Sequence, residues 1–221
     1  MTSEWTNKKT NAAEILDKAM LIVNHLLKFV SEGKGKPSAD QRALFGAAVV
    51  FTYGVWENFV EQLAIELVDN VAPTIQPERV PEQIKKTLEK KTAWELSVTP
   101  GWRKIWADSV KLQAIGDEDE KFGMNTAKAG QVKNLLSQVG VTDPYREITT
   151  DILPEHLDRS KKNATDAINS LVELRGEIVH TGKIPESLRK AHVTEWRNFI
   201  KSAATKIDSA CRKQCEELFK K

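Results

Sequence analysis

The sequence predicts an all-α fold, an up-down helical bundle carrying a helical and irregular insertion, on three observations. Apolar residues recur at three- and four-residue steps over 10–31: Ile15, Leu16, Ala19, Ile22, Val23, Leu26, Leu27 and Val30. A second stretch, LFGAAVVFTYGVWENFVEQLAIELV, is apolar nearly all round at its start, the pattern of a helix covered on most sides. Nowhere does the chain alternate apolar and polar residues as a half-buried strand does.

The elements follow in order. After the first helix, SEGKGKPSAD is a loop because glycine and proline interrupt it. Asp40 is the expected N-cap of a central helix running from Ala43 to Val71. PTIQPERVPEQ ends that helix, since proline removes a donor and clashes with the preceding turn. A basic helix is expected over 81–93. WELSVTPGWRKIWADSVKL reads as irregular and tryptophan-rich before another short helix, and GDEDEKFGMN as an exposed acidic loop. Ala127 to Val139 forms a short helix closed by Gly140 as C-cap. A long helix over 155–180 stops near Gly182, and a last one fills the C-terminus. The short HTGKIPES connection predicts that these two pack antiparallel. One domain over 1–221 results, with 72–150 inserted between two helical pairs.

The composition, 40% hydrophobic and 29% charged, is that of a soluble protein, and no uninterrupted apolar run approaches the ~18 residues of a membrane span. The N-terminus lacks an apolar segment of signal-peptide length, so a cytoplasmic protein with no membrane partner is expected. Cys211 and Cys215, spaced i, i+4, offer half a metal site with no second Cys or His pair nearby; two reduced helix cysteines and no cofactor are the expectation. The net charge of +2 carries no global footprint of a nucleic-acid binder. Local candidates are Lys85, Lys86, Lys90 and Lys91, then Arg103 and Lys104, then Arg159, Lys161 and Lys162, each of which reads first as a solvated face.

No GxxxxGK[ST], GxGxxG after a strand, GxSxG or HExxH is present, which argues against P-loop NTPases, dinucleotide enzymes, α/β-hydrolases and zincins. Any chemistry must be done by few groups.

ELRGEIVHTG, residues 173–182, supplies two. At 100° per residue, Leu171, Leu174, Ile178 and Val179 share one arc with Ile168, and Arg175 falls near its centre. A charge stands where a leucine belongs. Burying an unpaired guanidinium costs several kcal/mol, so that face holds a partner for it or lines a polar site. A guanidinium grips phosphate through a bidentate fork, and His180 can accept and return a proton. Together they suffice, without metal, for attack of a ribose 2′-hydroxyl on the neighbouring phosphorus. In an ideal helix the two side chains lie about 140° and roughly 7.5 Å apart. They meet only if the helix unwinds before Gly182 or a second copy supplies the opposing pair across a two-fold axis.

ELRGEIVHTG closing a long helix in an all-α chain resembles the HEPN domains, whose signature is an arginine followed a few residues later by histidine. YGVWENFVEQL and GMNTAKAGQVKNLLSQVG look like the bacterial subgroup named for its association with ribosomal L-PSP endoribonucleases, over about residues 10–215. The resemblance implies a HEPN-type fold and a metal-independent endoribonuclease acting on RNA, dimeric with a composite site, in toxin–antitoxin or antiphage systems with an antitoxin or defence partner. Arg175 and His180 would be the catalytic pair, leaving a 2′,3′-cyclic phosphate and a 5′-hydroxyl. Gly176 departs from the pattern, where the family commonly has Asn or Asp.

Supporting candidates are Glu57, which either pairs with Arg175 and orients it or belongs to a structural ion pair elsewhere, Glu177, three residues before His180, where it would raise the histidine's pKa but reads first as a solvated glutamate, and Asn58. His192 is expected to be a packing residue, and His25 and His156 solvated. Trp56, Trp94, Trp102 and Trp106 are weighed as base-stacking platforms against burial, with burial expected of most. Two alternatives stand beside the nuclease: a catalytically silent module binding RNA, a nucleotide or protein, and a structural dimer in which an Arg175–Glu57 pair fixes register.

Overall fold

The structure, a computed structural model, describes residues 8–30, 35–87, 89, 92–117, 123–157 and 163–220. Its helices are α1 (Asn11–Lys28), α2 (Ala39–Val71), α3 (Glu82–Thr87), α4 (Ala93–Ser97), α5 (Trp102–Ile115), α6 (Ala129–Ser137), α7 (Ala164–Thr181) and α8 (Lys190–Lys220). No strand occurs among the described residues.

α2 is the axis. Trp56, Phe59, Leu63 and Leu67 along it are 0% exposed, and α1, α5, α7 and α8 pack around it. Truncating such a residue to alanine costs ~3–5 kcal/mol for an aromatic. By length and hydropathy α2 qualifies as a membrane span, yet its apolar residues are engaged in the protein core. The helix begins at Ala39 rather than Ala43. Its N-cap is Ser38, not Asp40: the Ser38 hydroxyl accepts the Gln41 N–H while the Gln41 side chain accepts the Ser38 N–H, a reciprocal box that Asp40 has no matching partner to build.

Directions follow from cross-links. Glu66 near the end of α2 accepts the N–H groups of Asn11 and Ala12, so α1 runs antiparallel to α2. Thr10 bonds Asp208 while Lys190 reaches the Val30 carbonyl, so α8 is antiparallel to α1. α7 runs antiparallel to α2, with Ile178 beside Gly46 and Arg175 beside Tyr53.

The inserted region departs from expectation in several respects. WRKIWADSVKL is α5, not irregular chain: Trp102 and Trp106, one turn apart, stack at 6.4 Å and are buried against the bundle. α6 ends at Ser137 with Gln138 as C-cap, and Gly140 lies two residues further on. Within the expected basic helix, α3 covers Glu82–Thr87; Lys90 and Lys91, like residues 118–122 of the acidic loop, lie outside the described residues.

The last two helices run antiparallel, as expected, but they do not pack closely along their lengths. α7 and α8 both lean on α2 and scarcely touch each other, which leaves a cleft between them.

Candidate functional site

α7 starts at Ala164 rather than near 155, because the Asn163 side chain accepts the Asp166 N–H at 2.8 Å and caps it there; residues 158–162 lie outside the described residues. It continues unbroken through Thr181. Gly182, at φ 67°, then donates to the Ile178 carbonyl and ends it, so the helix does not unwind to let His180 swing. The buried residues of α7, Ala164, Ala167, Ile168, Leu171 and Val172, all lie in its first half. The second half projects as a ledge, held on one side by Ile178 and Ile184 against Gly46. A Cβ on Gly46 would lie 2.9 Å from Ile184 Cδ1, so the end of the Ile184 side chain would have to shift to admit one.

Arg175 sits on that ledge, half-buried, its guanidinium carbon 5.0 Å from the centroid of the Tyr53 ring. Its Nε is buried without a hydrogen-bond partner, and among the described residues no carboxylate reaches ion-pair distance of it. The first alternative for Glu57, a pair with Arg175, therefore does not form. Glu57 instead accepts the Tyr53 hydroxyl at 2.6 Å, and that hydroxyl accepts the Ala127 N–H at 3.0 Å. Burial, then the Glu57 hydrogen bond, push the Tyr53 phenol well above its ordinary range. The Trp56 indole donates to the Ala127 carbonyl, so Trp56 serves as a fixed strut rather than a stacking platform.

His180 is exposed on the last turn of α7, and among the described residues no hydrogen bond engages its ring. Gly176 lies under it: a Cβ added there would be 4.0 Å from His180 Cδ2. Val179, expected on the buried arc, is 48% exposed because α7 has outrun its neighbours. Going round the helix from Arg175, the order is Val179, Gly176, His180, over about 140°. One chain thus presents the arginine and the histidine at the two edges of a strip of small and apolar surface. Glu177 is exposed and lines the α7–α8 cleft; Asn58 is exposed on α2.

Three features escaped sequence reasoning. Tyr53 was visible only as an aromatic on the central helix, and nothing local announced that it would face Arg175. Glu61, one turn beyond Glu57, is half-buried, and burial followed by the Glu57 charge pushes its carboxyl up to about 7. His156 is not solvated: its Nδ1 lies 2.5 Å from Glu195 Oε2, and its ring stacks on His192 at 4.5 Å. His192 lines the cleft rather than the core, and burial, with His156 beside it, holds its imidazole below the usual histidine range.

Among the basic candidates, Lys85 pairs with Glu82, Lys104 with Asp108, and Arg103 donates to the Ile75 carbonyl over the Trp102 ring. Arg159, Lys161 and Lys162 lie outside the described residues. Trp94, at 74% exposure, is open to solvent, unlike Trp102 and Trp106. Cys211 and Cys215 are buried free thiols, and burial pushes Cys215 up to about 12. Among the described residues no group of three or more His, Cys, Asp or Glu is arranged to hold a metal.

A family model described as RiboL-PSP-HEPN matches residues 14–213. No curated protein and no solved structure matches the chain.

Proposed function

The chain belongs to the RiboL-PSP-HEPN family, a membership that points to an RNA-related function, and from that premise we propose that it is a metal-independent endoribonuclease cutting single-stranded RNA. The observation that carries this reading is Arg175: a half-buried guanidinium with an unsatisfied Nε and no counter-carboxylate among the described residues. A cation kept at this cost without a protein anion is suited to a phosphate, whose charge rises as the phosphorus becomes five-coordinate. His180 takes the proton of the 2′-hydroxyl as the O2′–P bond forms. The P–O5′ bond breaks, and the leaving oxygen is protonated by the histidine of a second copy, giving a 2′,3′-cyclic phosphate and a 5′-hydroxyl.

The second copy is needed because Arg175 and His180 diverge on an unbroken helix. A two-fold axis over Val179 and Gly176 sets each arginine opposite the partner's histidine. The Tyr53 ring beneath the guanidinium positions Arg175. The cellular role on this reading is a toxin or antiphage effector held in check by an antitoxin or defence-system partner. The test is incubation of single-stranded RNA with the protein in EDTA, with end-group analysis of the products. Cyclic phosphate and 5′-hydroxyl ends, lost in Arg175→Ala and His180→Ala, are expected; cleavage retained by either variant overturns the assignment.

One observation favours a second reading, a HEPN-like module that binds RNA or protein without cutting. Gly176 removes the polar side chain that follows the arginine in the family, leaving His180 with nothing beside it. RNA binding with no cleavage in either EDTA or magnesium would establish that reading.

A further inference from the structure

The cleft between α7 and α8 has a volume of about 460 Å³ and a built interior. Trp196, 2% exposed, lines it, yet its indole N–H has no acceptor among the described residues. The buried hydroxyl of Ser170, on the opposing helix, likewise has no partner among them. Leaving such donors unmet costs ~1–3 kcal/mol each, so buried polar groups are almost always paired. Two further groups are held in place. His156 is fixed by Glu195, which accepts both its ring nitrogen and its backbone N–H, and His192 stacks on it at 4.5 Å with 19° between the planes. The walls are aliphatic, from Leu157, Leu174 and Leu188, and Glu177 stands at the rim.

This set selects a ligand class. Aliphatic walls favour a flat apolar body; an indole N–H, a hydroxyl and a neutral imidazole match an edge that mixes acceptors and donors. The Glu177 carboxylate at the rim accepts sugar hydroxyls. We infer that the α7–α8 cleft binds a nucleobase with its ribose, Trp196 and Ser170 reading the base edge, His192 completing it, and Glu177 receiving the sugar. The source is either a nucleotide of the strand cut beside His180 or a free nucleoside. The first source rests on the nuclease reading: Glu177 and His180 are about 60° and 4.5 Å apart on α7, so a strand with one base in the cleft passes the histidine.

The test follows the indole N–H signals of the full-length protein, labelled with ¹⁵N-tryptophan, in EDTA. The Trp196 signal is assigned by its absence in Trp196→Phe, or by its displacement in Ser170→Ala should that variant not fold. Adenosine, guanosine, cytidine and uridine are titrated separately, and in a parallel arm an RNA hexamer with free 2′-hydroxyls is added to the His180→Ala protein, which on the nuclease reading leaves the strand uncut. At least one nucleoside is expected to move the Trp196 signal saturably and more than any other tryptophan, with Ser170→Ala and His192→Ala each weakening binding about tenfold. A shift with the hexamer alone assigns the base to the strand, and one with the nucleosides alone to a free ligand. No shift in either arm, or a shift that both variants leave unchanged, overturns the proposal while RNA cleavage in EDTA still decides the nuclease reading independently. Nucleoside binding in a protein that never cuts RNA has the opposite meaning: the cleft stands and the nuclease falls.

Discussion

Arg175 lays its guanidinium over the ring of Tyr53, 5.0 Å from the centroid, and it is Tyr53 that holds the Glu57 carboxylate. The tyrosine separates two jobs. Its ring supports the cation, and its hydroxyl ties α2 to the Ala127 N–H.

Tyr53→Phe keeps the ring and removes the hydroxyl, leaving a buried N–H without its acceptor. A loss of ~1–3 kcal/mol is expected, read as a melting temperature lowered by about 2–4 °C per kcal/mol for a chain of this size, with RNA cleavage retained. Tyr53→Leu also removes the support of the cation, worth up to about 2 kcal/mol where desolvated, so cleavage should fall roughly tenfold or more. Equal activities for the two variants would show that the ring does not hold Arg175 in place.

Arg175→Met separates stability from activity. Because no carboxylate pairs with the guanidinium, the substitution strands no buried anion, and melting within about 1 kcal/mol of the unsubstituted protein is expected. Arg175→Lys keeps the charge but not the planar fork, and should also lose most cleavage. A Met variant that melts several kcal/mol lower would reveal a structural partner and favour the register role over phosphate binding.

Val179 and Gly176 form the strip between arginine and histidine. Val179→Asp should leave the monomer fold intact, since the side chain is 48% exposed. It sets two like charges face to face across a two-fold seam, so loss of dimer by sedimentation and loss of cleavage together are the expected outcome. An unchanged dimer places the seam elsewhere.

The bundle was legible because helix periodicity and breaker residues are local signals. α1, the end of α2 at Val71 and the Gly182 stop follow from them. The errors came where two signals competed. Asp40 is as good a capping residue as Ser38, and only the reach of Gln41 back to the Ser38 N–H decides between them. The start of α7 moved from 155 to Ala164 because Asn163 caps there. Arg175 was picked out correctly as a charge among apolar positions, but its neighbour was not: Glu57 and Arg175 have opposite charge, and pairing them ignored that Tyr53, one turn before Glu57, is closer to both. The cleft was invisible because it depends on how far apart α2 holds α7 and α8, a relation that no stretch of sequence encodes by itself. His156 and His192, 36 positions apart, meet only there.

Gly176 occupies the middle of α7 with room for a side chain. A Cβ would meet only His180 Cδ2, at 4.0 Å, an ordinary contact. Gly176→Ala should therefore stabilise the helix by about 1 kcal/mol, raising the melting temperature by about 2–4 °C. Gly176→Asn adds a polar group beside the imidazole and is expected to raise the cleavage rate. A rate that falls in both variants, with higher melting, would mean that the strand passes directly over this glycine.

Glu61 makes stability depend on pH. Its carboxyl sits at about 7 in the folded protein, pushed up by burial and by Glu57, against an ordinary 4.5. Between those values the folded state keeps a proton that the unfolded chain has released, so this group favours folding below about 4.5, and its contribution is lost as pH rises towards 7. Glu61→Gln removes the titration. The melting temperatures of variant and unsubstituted protein should coincide near pH 4. They should separate above pH 7, the variant higher by an amount on the order of 1 kcal/mol once solvent screening at this half-buried position is allowed for. A difference that does not change with pH would show that Glu61 ionises as an ordinary surface glutamate, and that the charge of Glu57 does not reach it.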